Sequence, residues 1–352
     1  MGARSTLTPP PIASSRLCPA VLPILMLGVL GVTLVFAVST GPVQLQPREV
    51  AGALIAPLLG QSGDGNTPNL LVTTIRLPRV LLAALVGAAL AVAGAVMQAL
   101  FRNPLAEPGI TGVSSGAAAA AVVAIVSGLS ALAWWALPLS AFIGALTATA
   151  VVQVVSGASR GRTSTIILVG IAVNALLGAV VAAVLANAPE AGDVQRVMFW
   201  LNGDLTASTW SDVSIAALGI PLGILALFAT AGALDLFSIS ETQAASTGVN
   251  VVLTRQIALG AAALITATAV SVTGVISFVG LVVPHLVRLV FGPQHGRLLV
   301  LSAVVGAIFL VLADLLARML FYPITLQTGT VTAFVGAPVL LLLVLRKKAG
   351  QG

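Results

Sequence analysis

Two arginine-bearing motifs flank a single apolar stretch. Arg76-Leu-Pro-Arg79 precedes Val80–Phe101, and Arg102-Asn-Pro-Leu-Ala-Glu-Pro-Gly-Ile-Thr-Gly-Val-Ser114 follows it. The stretch is long enough to cross a bilayer as a helix. Arginine is costly inside hydrocarbon, so each motif is expected at a water-facing end of that helix. A planar guanidinium suits bidentate pairing with carboxylates, which is the chemistry expected of Arg76 and Arg79. At the other end, Pro104 stops the helix and leaves Asn103 and Leu105 on a turn.

Few other residues could do chemistry. Asp314 is the one acid well inside an apolar segment, and Arg318 lies four residues on, on the same helix face. A neutralised pair that steadies Arg318 is the reading preferred over a proton-relay carboxylate, which normally has several polar companions. His285 and His295 are the only histidines, and Cys18 is the only cysteine. A metal site needs several converging ligands, so none is expected here. His285 reads as a structural residue and His295 as part of a loop. The only lysines are Lys347 and Lys348, so a Gly-Lys-Ser/Thr phosphate loop is absent. Any ATP must be hydrolysed elsewhere. No nucleophile–base or paired-carboxylate set falls within the apolar segments, and the chain does not read as an enzyme.

The elements that must position these residues follow from composition. The chain has 352 residues, 58% of them hydrophobic and 7% charged, with a formal net charge of +6. Its mean hydropathy is +1.11. Soluble domains carry about 25% charged residues, so the composition reads as an integral membrane protein in contact with lipid. The basic residues are scattered over segment ends, without the clustered patch of a nucleic-acid binder. Ten apolar segments read as helices, at roughly 21–40, 79–101, 109–128, 134–157, 164–186, 213–234, 256–274, 276–291, 298–320 and 328–346. The fold class is therefore all-α and polytopic. Gly87, Ala88, Ala91 and Gly94 suit close helix contacts. The first segment is expected to be retained; a cleavable signal would have a shorter apolar core and a small-residue cleavage site.

With alternating spans, one side receives Arg4, Arg16, Arg102, Arg160, Arg162, Arg255, Arg288, Arg297, Arg346, Lys347 and Lys348. The other receives Arg48, Arg76, Arg79, Arg196 and Arg318. Eleven against five places both termini in the cytoplasm. The expected organisation is a tail at 1–20, a permeation domain at 21–346 and a tail at 347–352. Gly41–Ile75 is an outer segment with a turn at Gly63-Asp64-Gly65-Asn66, and Asn187–Asp212 an outer segment with room for a short helix. Residues 235–255 form an inner loop. There Ser240-Glu241-Thr242-Gln243 fits a capping box, with Ser240 as N-cap, and Gly248 fits a C-terminal stop. The resulting helix, with Ala244 and Ala245, is too short to stand alone in water.

From about Leu71 to Leu345 the chain resembles the permease family of type II ABC importers, which move iron-siderophores, haem and vitamin B12. The resemblance rests on Arg76-Leu-Pro-Arg79, Gly94-Ala-Val-Met-Gln98, the Arg102–Gly109 turn and Met198-Phe-Trp-Leu-Asn-Gly203. It continues in Phe278-Val-Gly-Leu-Val-Val-Pro-His285, Ala313-Asp-Leu-Leu-Ala-Arg318 and Gly336-Ala-Pro338. Gln327, Ser277 and Val275 depart from the family pattern.

The resemblance implies a ten-helix permease paired with a second copy or paralogue over two ATP-binding cassette ATPase subunits. Those subunits would carry ATP and Mg; this chain itself would need no cofactor. It implies that Arg76, Arg79 and Arg318 meet carboxylates of an extracytoplasmic solute-binding protein. Interfacial snorkelling is the alternative for those arginines. It also implies that Asn103, Leu105, Thr163 and Ser164 line a cytoplasmic gate, and that Ser240, Glu241, Gln243, Ala244, Ala245 and Gly248 form a coupling helix for the ATPase. The expected function is import of an iron chelate, a ferric siderophore or haem, across a bacterial cell membrane. Cobalamin import and proton-coupled secondary transport are the alternatives.

Overall fold

The computed structural model describes residues 21–55, 67–157 and 163–349. Arg4, Arg16, Cys18, the Gly63–Asn66 turn, Arg160, Arg162 and the ends of both tails lie outside the described residues, as do the side chains of Glu241, Arg346, Lys347 and Lys348.

Among the described residues the regular secondary structure is all helical. In chain order the helices are α1 (Val21–Ser39), α2 (Pro47–Ile55), α3 (Thr67–Leu70), α4 (Leu77–Leu100), α5 (Val113–Val126), α6 (Ala136–Gly157), α7 (Thr163–Ala186) and α8 (Ala191–Leu201). They continue as α9 (Trp210–Ala229), α10 (Ala231–Ile239), α11 (Glu241–Ser246), α12 (Val251–Thr273), α13 (Val279–Phe291), α14 (His295–Met319) and α15 (Thr328–Ala349). Among the described residues seven are long and apolar enough to cross a membrane; three more apolar helices, at Val113–Val126, Val279–Phe291 and Thr328–Leu342, are shorter. Each of the ten expected segments has a helix. Its sixth breaks at Thr230, whose hydroxyl bonds back to the Leu227 carbonyl at 2.7 Å, so α9 and α10 are separate rods.

α4 is the axis of the fold. It is buried along most of its length and packs against α14, α12, α13 and α9. Close approach is what its glycines provide. A Cβ on Gly94 would overlap the Gly280 carbonyl, and one on Gly87 would overlap that of Gly306. Side-chain-free surfaces let backbones meet where lipid offers no hydrophobic drive for helix association. Pro78 lacks an N–H and starts a helix well. Just before it, Leu71–Arg76 forms a π-turn, and the Leu77 N–H reaches back to the Val72 carbonyl. This widened turn lies on the same rod as α4 and carries Arg76.

The stretch from Phe101 to Gly112 turns back beside α4. Pro108 Cδ lies against Gly280, and the Ile110 carbonyl abuts Gly170 of α7. A short 3-10 turn, Pro108–Thr111, then leads into α5 through Gly112, whose φ of +85° suits glycine.

Candidate functional site

The structure brings Arg76, Arg79 and Arg318 together at one end of the bundle. All three are buried, with 4%, 6% and 5% exposure. Arg79 donates to Asp314 from Nε at 3.0 Å and from Nη2 at 2.8 Å. Arg318 Nε lies 3.3 Å from the other carboxylate oxygen, and Thr328 Oγ1 donates to Asp314 at 3.0 Å. Asp314 therefore steadies Arg318, as expected from the four-residue spacing. It also meets a second arginine from 235 residues away, which the local pattern did not reveal. Arg76 donates to the carbonyls of Val38 at 2.9 Å, Ser39 at 3.0 Å and Val43. Arg318 adds a bond to the Ala37 carbonyl at 3.3 Å. The Ala37, Val38 and Ser39 carbonyls belong to the C-terminus of α1, where the last carbonyls have no partner within the helix and attract cations; that of Val43 follows it. The cluster ties α1, α4, α14 and α15 into one frame.

At the opposite end, Asn103 and Leu105 are exposed, and the Leu105 N–H donates to Asn103 Oδ1 at 2.9 Å. The Asn103 N–H donates to the Gln98 carbonyl at 3.2 Å. Asn103 thus forms a side-chain-closed turn just past α4. Arg102, ahead of it, has a positive φ of 46°. Thr163 and Ser164 open α7, half-buried and exposed respectively.

α11 is also at this end, as the sequence requires. Its Gly248 stop forms with φ +87°. The Val249 N–H bonds to the Ala244 carbonyl at 3.2 Å and Gly248 N–H to that of Ala245 at 3.0 Å, the paired pattern of a glycine-terminated helix. The expected capping box does not form. Ser240 occupies the N-cap backbone position, but its hydroxyl contacts Thr242 Oγ1 at 2.6 Å instead of a helix N–H. Ser and Thr hydroxyls have several local partners to choose from, and a neighbouring hydroxyl competes here. Ala244 is buried; Gln243 and Ala245 are exposed.

Between the two ends, three of the family-like motifs converge on one cavity. Its volume is about 590 Å³, and its wall includes Asn202, Ser277, Phe278, Thr330, Phe334 and Pro338. Phe278 starts α13 with φ +70°, a strained conformation for an aromatic residue. Gly203 and Gly329 fix the wall, with the Gly329 N–H donating to the Gly203 carbonyl at 3.0 Å. Departures at Gln327, Ser277 and Val275 lie in or beside this wall.

Sequence reasoning missed two polar joints at the Asn103 end. Arg288 Nη1 donates to Gln98 Oε1 at 3.1 Å, while Gln98 Nε2 donates to the carbonyls of Gly280 and Leu281 at 3.3 and 3.1 Å. His295, expected in a loop, is instead the buried first residue of α14 and bonds to Asp235. Gly296 and Arg297 delay the apolar periodicity until Leu298, which hid the helix start. His285 lies within α13. Among the described residues no group of three or more His, Cys, Asp or Glu could hold a metal.

The chain belongs to the FecCD transport family, which it matches over residues 29–346. It is 43% identical over 292 residues to the cobalamin import system permease protein BtuC of Halobacterium salinarum, covering 83% of this chain and 77% of that protein. It is 42% identical over 278 residues to the hemin transport system permease protein HmuU of Yersinia pestis, covering 78% and 83%. Its backbone superposes with a TM-score of 0.82 and 28% identity on a solved "metal-chelate type ABC transporter" in an inward-facing conformation, covering 93% of this chain and 99% of that one.

Proposed function

We propose that this chain is the membrane-spanning permease of an ATP-driven importer that carries an iron chelate, a ferric siderophore or haem, into a bacterial cytoplasm. Family membership over residues 29–346 is the observation that carries this reading. The hemin permease relative supports an iron chelate as cargo. Cobalamin is the second reading, supported by the likeness to BtuC.

In this reading the arginine end faces outward and both termini face the cytoplasm, as the lysine and arginine distribution favours. A solute-binding protein delivers cargo there. Its carboxylates take over the guanidinium groups of Arg76, Arg79 and Arg318 from their present partners within the chain. A second copy or a paralogue covers the apolar outward faces of α7 and α15, where Leu168 and Phe334 are 68% and 73% exposed. Cargo passes along the cavity wall at Phe278 and Phe334. The turn at Asn103 and Leu105, with Thr163 and Ser164, closes the cytoplasmic side. Two separate ATPase subunits, which bind ATP and Mg, engage α11. Their closure stabilises one arrangement of the bundle over the other, which any ligand-driven switch requires.

The test is uptake into proteoliposomes that contain the permease, its ATPase and its binding protein. Uptake of the labelled ferric chelate is expected to need ATP and the binding protein and to survive a protonophore. Uptake that ignores ATP and collapses with the proton gradient would establish a secondary transporter instead.

A further inference from the structure

We infer that Asp235 and His295 form the joint that fixes the α10–α11 segment to the transmembrane bundle, making Asp235 a positioning residue for coupling. The coupling role rests on the function proposed above; the joint itself rests on geometry. α10 ends at Ile239 and α11 begins at Glu241, so only Ser240 separates them. A displacement of α11 therefore acts directly on α10. Asp235, on α10, offers one oxygen to two donors of α14. Its Oδ1 accepts the His295 backbone N–H at 2.8 Å and meets His295 Nδ1 at 2.7 Å.

Both contacts have a physical reason. The first N–H groups of a helix lack partners within it, and the N-terminus attracts negative charge. The residue at the N-cap of α14, Gln294, makes no side-chain capping bond. Asp235 supplies that cap from a different helix. The shared oxygen also assigns the ring tautomer, because Nδ1 must carry a proton to donate to a carboxylate. His295 is 3% exposed and its Nε2 has no partner. The orientation of the ring is thus held through Nδ1.

From this joint, α14 runs 25 residues to Asp314 and Arg318 near the opposite end. A helix of that length spans about 37 Å. It packs along α4 through the Gly87–Gly306 contact. The second joint stands beside it: Arg288 of α13 holds Gln98, whose carbonyl receives the Asn103 N–H. A push on α11 therefore reaches the long rod by way of Asp235.

Asp235→Ala, Asp235→Asn and His295→Ala separate this role from a merely structural one when placed in the complete complex with its ATPase and binding protein. Asn keeps an acceptor oxygen for both donors; Ala keeps none. The cargo moved per ATP hydrolysed is expected to fall about tenfold in Asp235→Ala, the size of a lost charge-assisted hydrogen bond, with ATP hydrolysis within about twofold of wild type. Asp235→Asn should stay within about twofold of wild type, and His295→Ala should fall between the two. Amide hydrogen exchange at residues 295–298 and 241–249 is expected to accelerate about tenfold in Asp235→Ala and not in Asp235→Asn. If the wild-type complex does not transport, the proposed function fails while the exchange contrast still decides the joint. An unchanged ratio and unchanged exchange in Asp235→Ala, or a loss as deep in Asp235→Asn, would overturn the joint.

Discussion

The two ends of the bundle are held by different physics. At the arginine end three guanidinium groups and one carboxylate are buried together, none more than 6% exposed. Their partners come from α1, α4, α14 and α15, and a buried charge left unpaired is expensive. At the Asn103 end Asn103 and Leu105 are exposed, and the Leu105 N–H to Asn103 Oδ1 and Asn103 N–H to Gln98 carbonyl bonds are local. One end resists rearrangement because parting Asp314 from Arg79 and Arg318 strands a charge unless another carboxylate takes its place. The Asn103–Leu105 turn can shift at the cost of one hydrogen bond at a time, about 1 kcal/mol each, while the Arg288–Gln98 and Asp235–His295 joints hold the helices beside it.

Removing the frame's counter-charge should have the largest effect. Asp314→Ala leaves Arg79 and Arg318 facing each other without a carboxylate, and the expected loss is about 3–5 kcal/mol. The yield of monodisperse protein and the unfolding midpoint in detergent would register it. A midpoint within a degree of wild type would erase the contrast between the ends. Gly94→Ala should come next, because the added methyl meets the Gly280 carbonyl; overpacking of this kind costs about 1–3 kcal/mol. Gly248→Ala places a side chain at φ +87° and should weaken α11 by about 1 kcal/mol. That change should appear in local hydrogen exchange at 241–249 while the global midpoint stays put. Ser240→Ala should be the mildest, within about 0.5 kcal/mol, because its hydroxyl does not cap the helix. A loss near 1 kcal/mol would mean that the capping box does form.

Hydropathy and helix punctuation made the frame of the fold legible. The ten apolar segments, the Pro104 stop and the Gly248 stop each depend on a few neighbouring residues. The arginine cluster was legible only in part. Asp314 and Arg318 are one turn apart, but Arg79 finds Asp314 across 235 residues, and Arg76 finds carbonyls that any residue could have supplied. Backbone acceptors leave no side-chain signature. The helical place of His295 has no local signature for a related reason: its helix is capped by a carboxylate 60 residues upstream rather than by its own N-cap. The Ser240-Glu241-Thr242-Gln243 pattern permits a capping box but does not choose among competing hydroxyl partners.

The sidedness of the two ends decides whether the molecule can be an importer. In a Cys18→Ser background, single cysteines would replace Tyr322, 65% exposed at the arginine end, and Gln243, exposed on α11. A membrane-impermeant maleimide added to intact cells should label position 322 and leave position 243 untouched until the membrane is opened. Labelling of 243 but not 322 from outside would invert the molecule, and the importer described above would be contradicted.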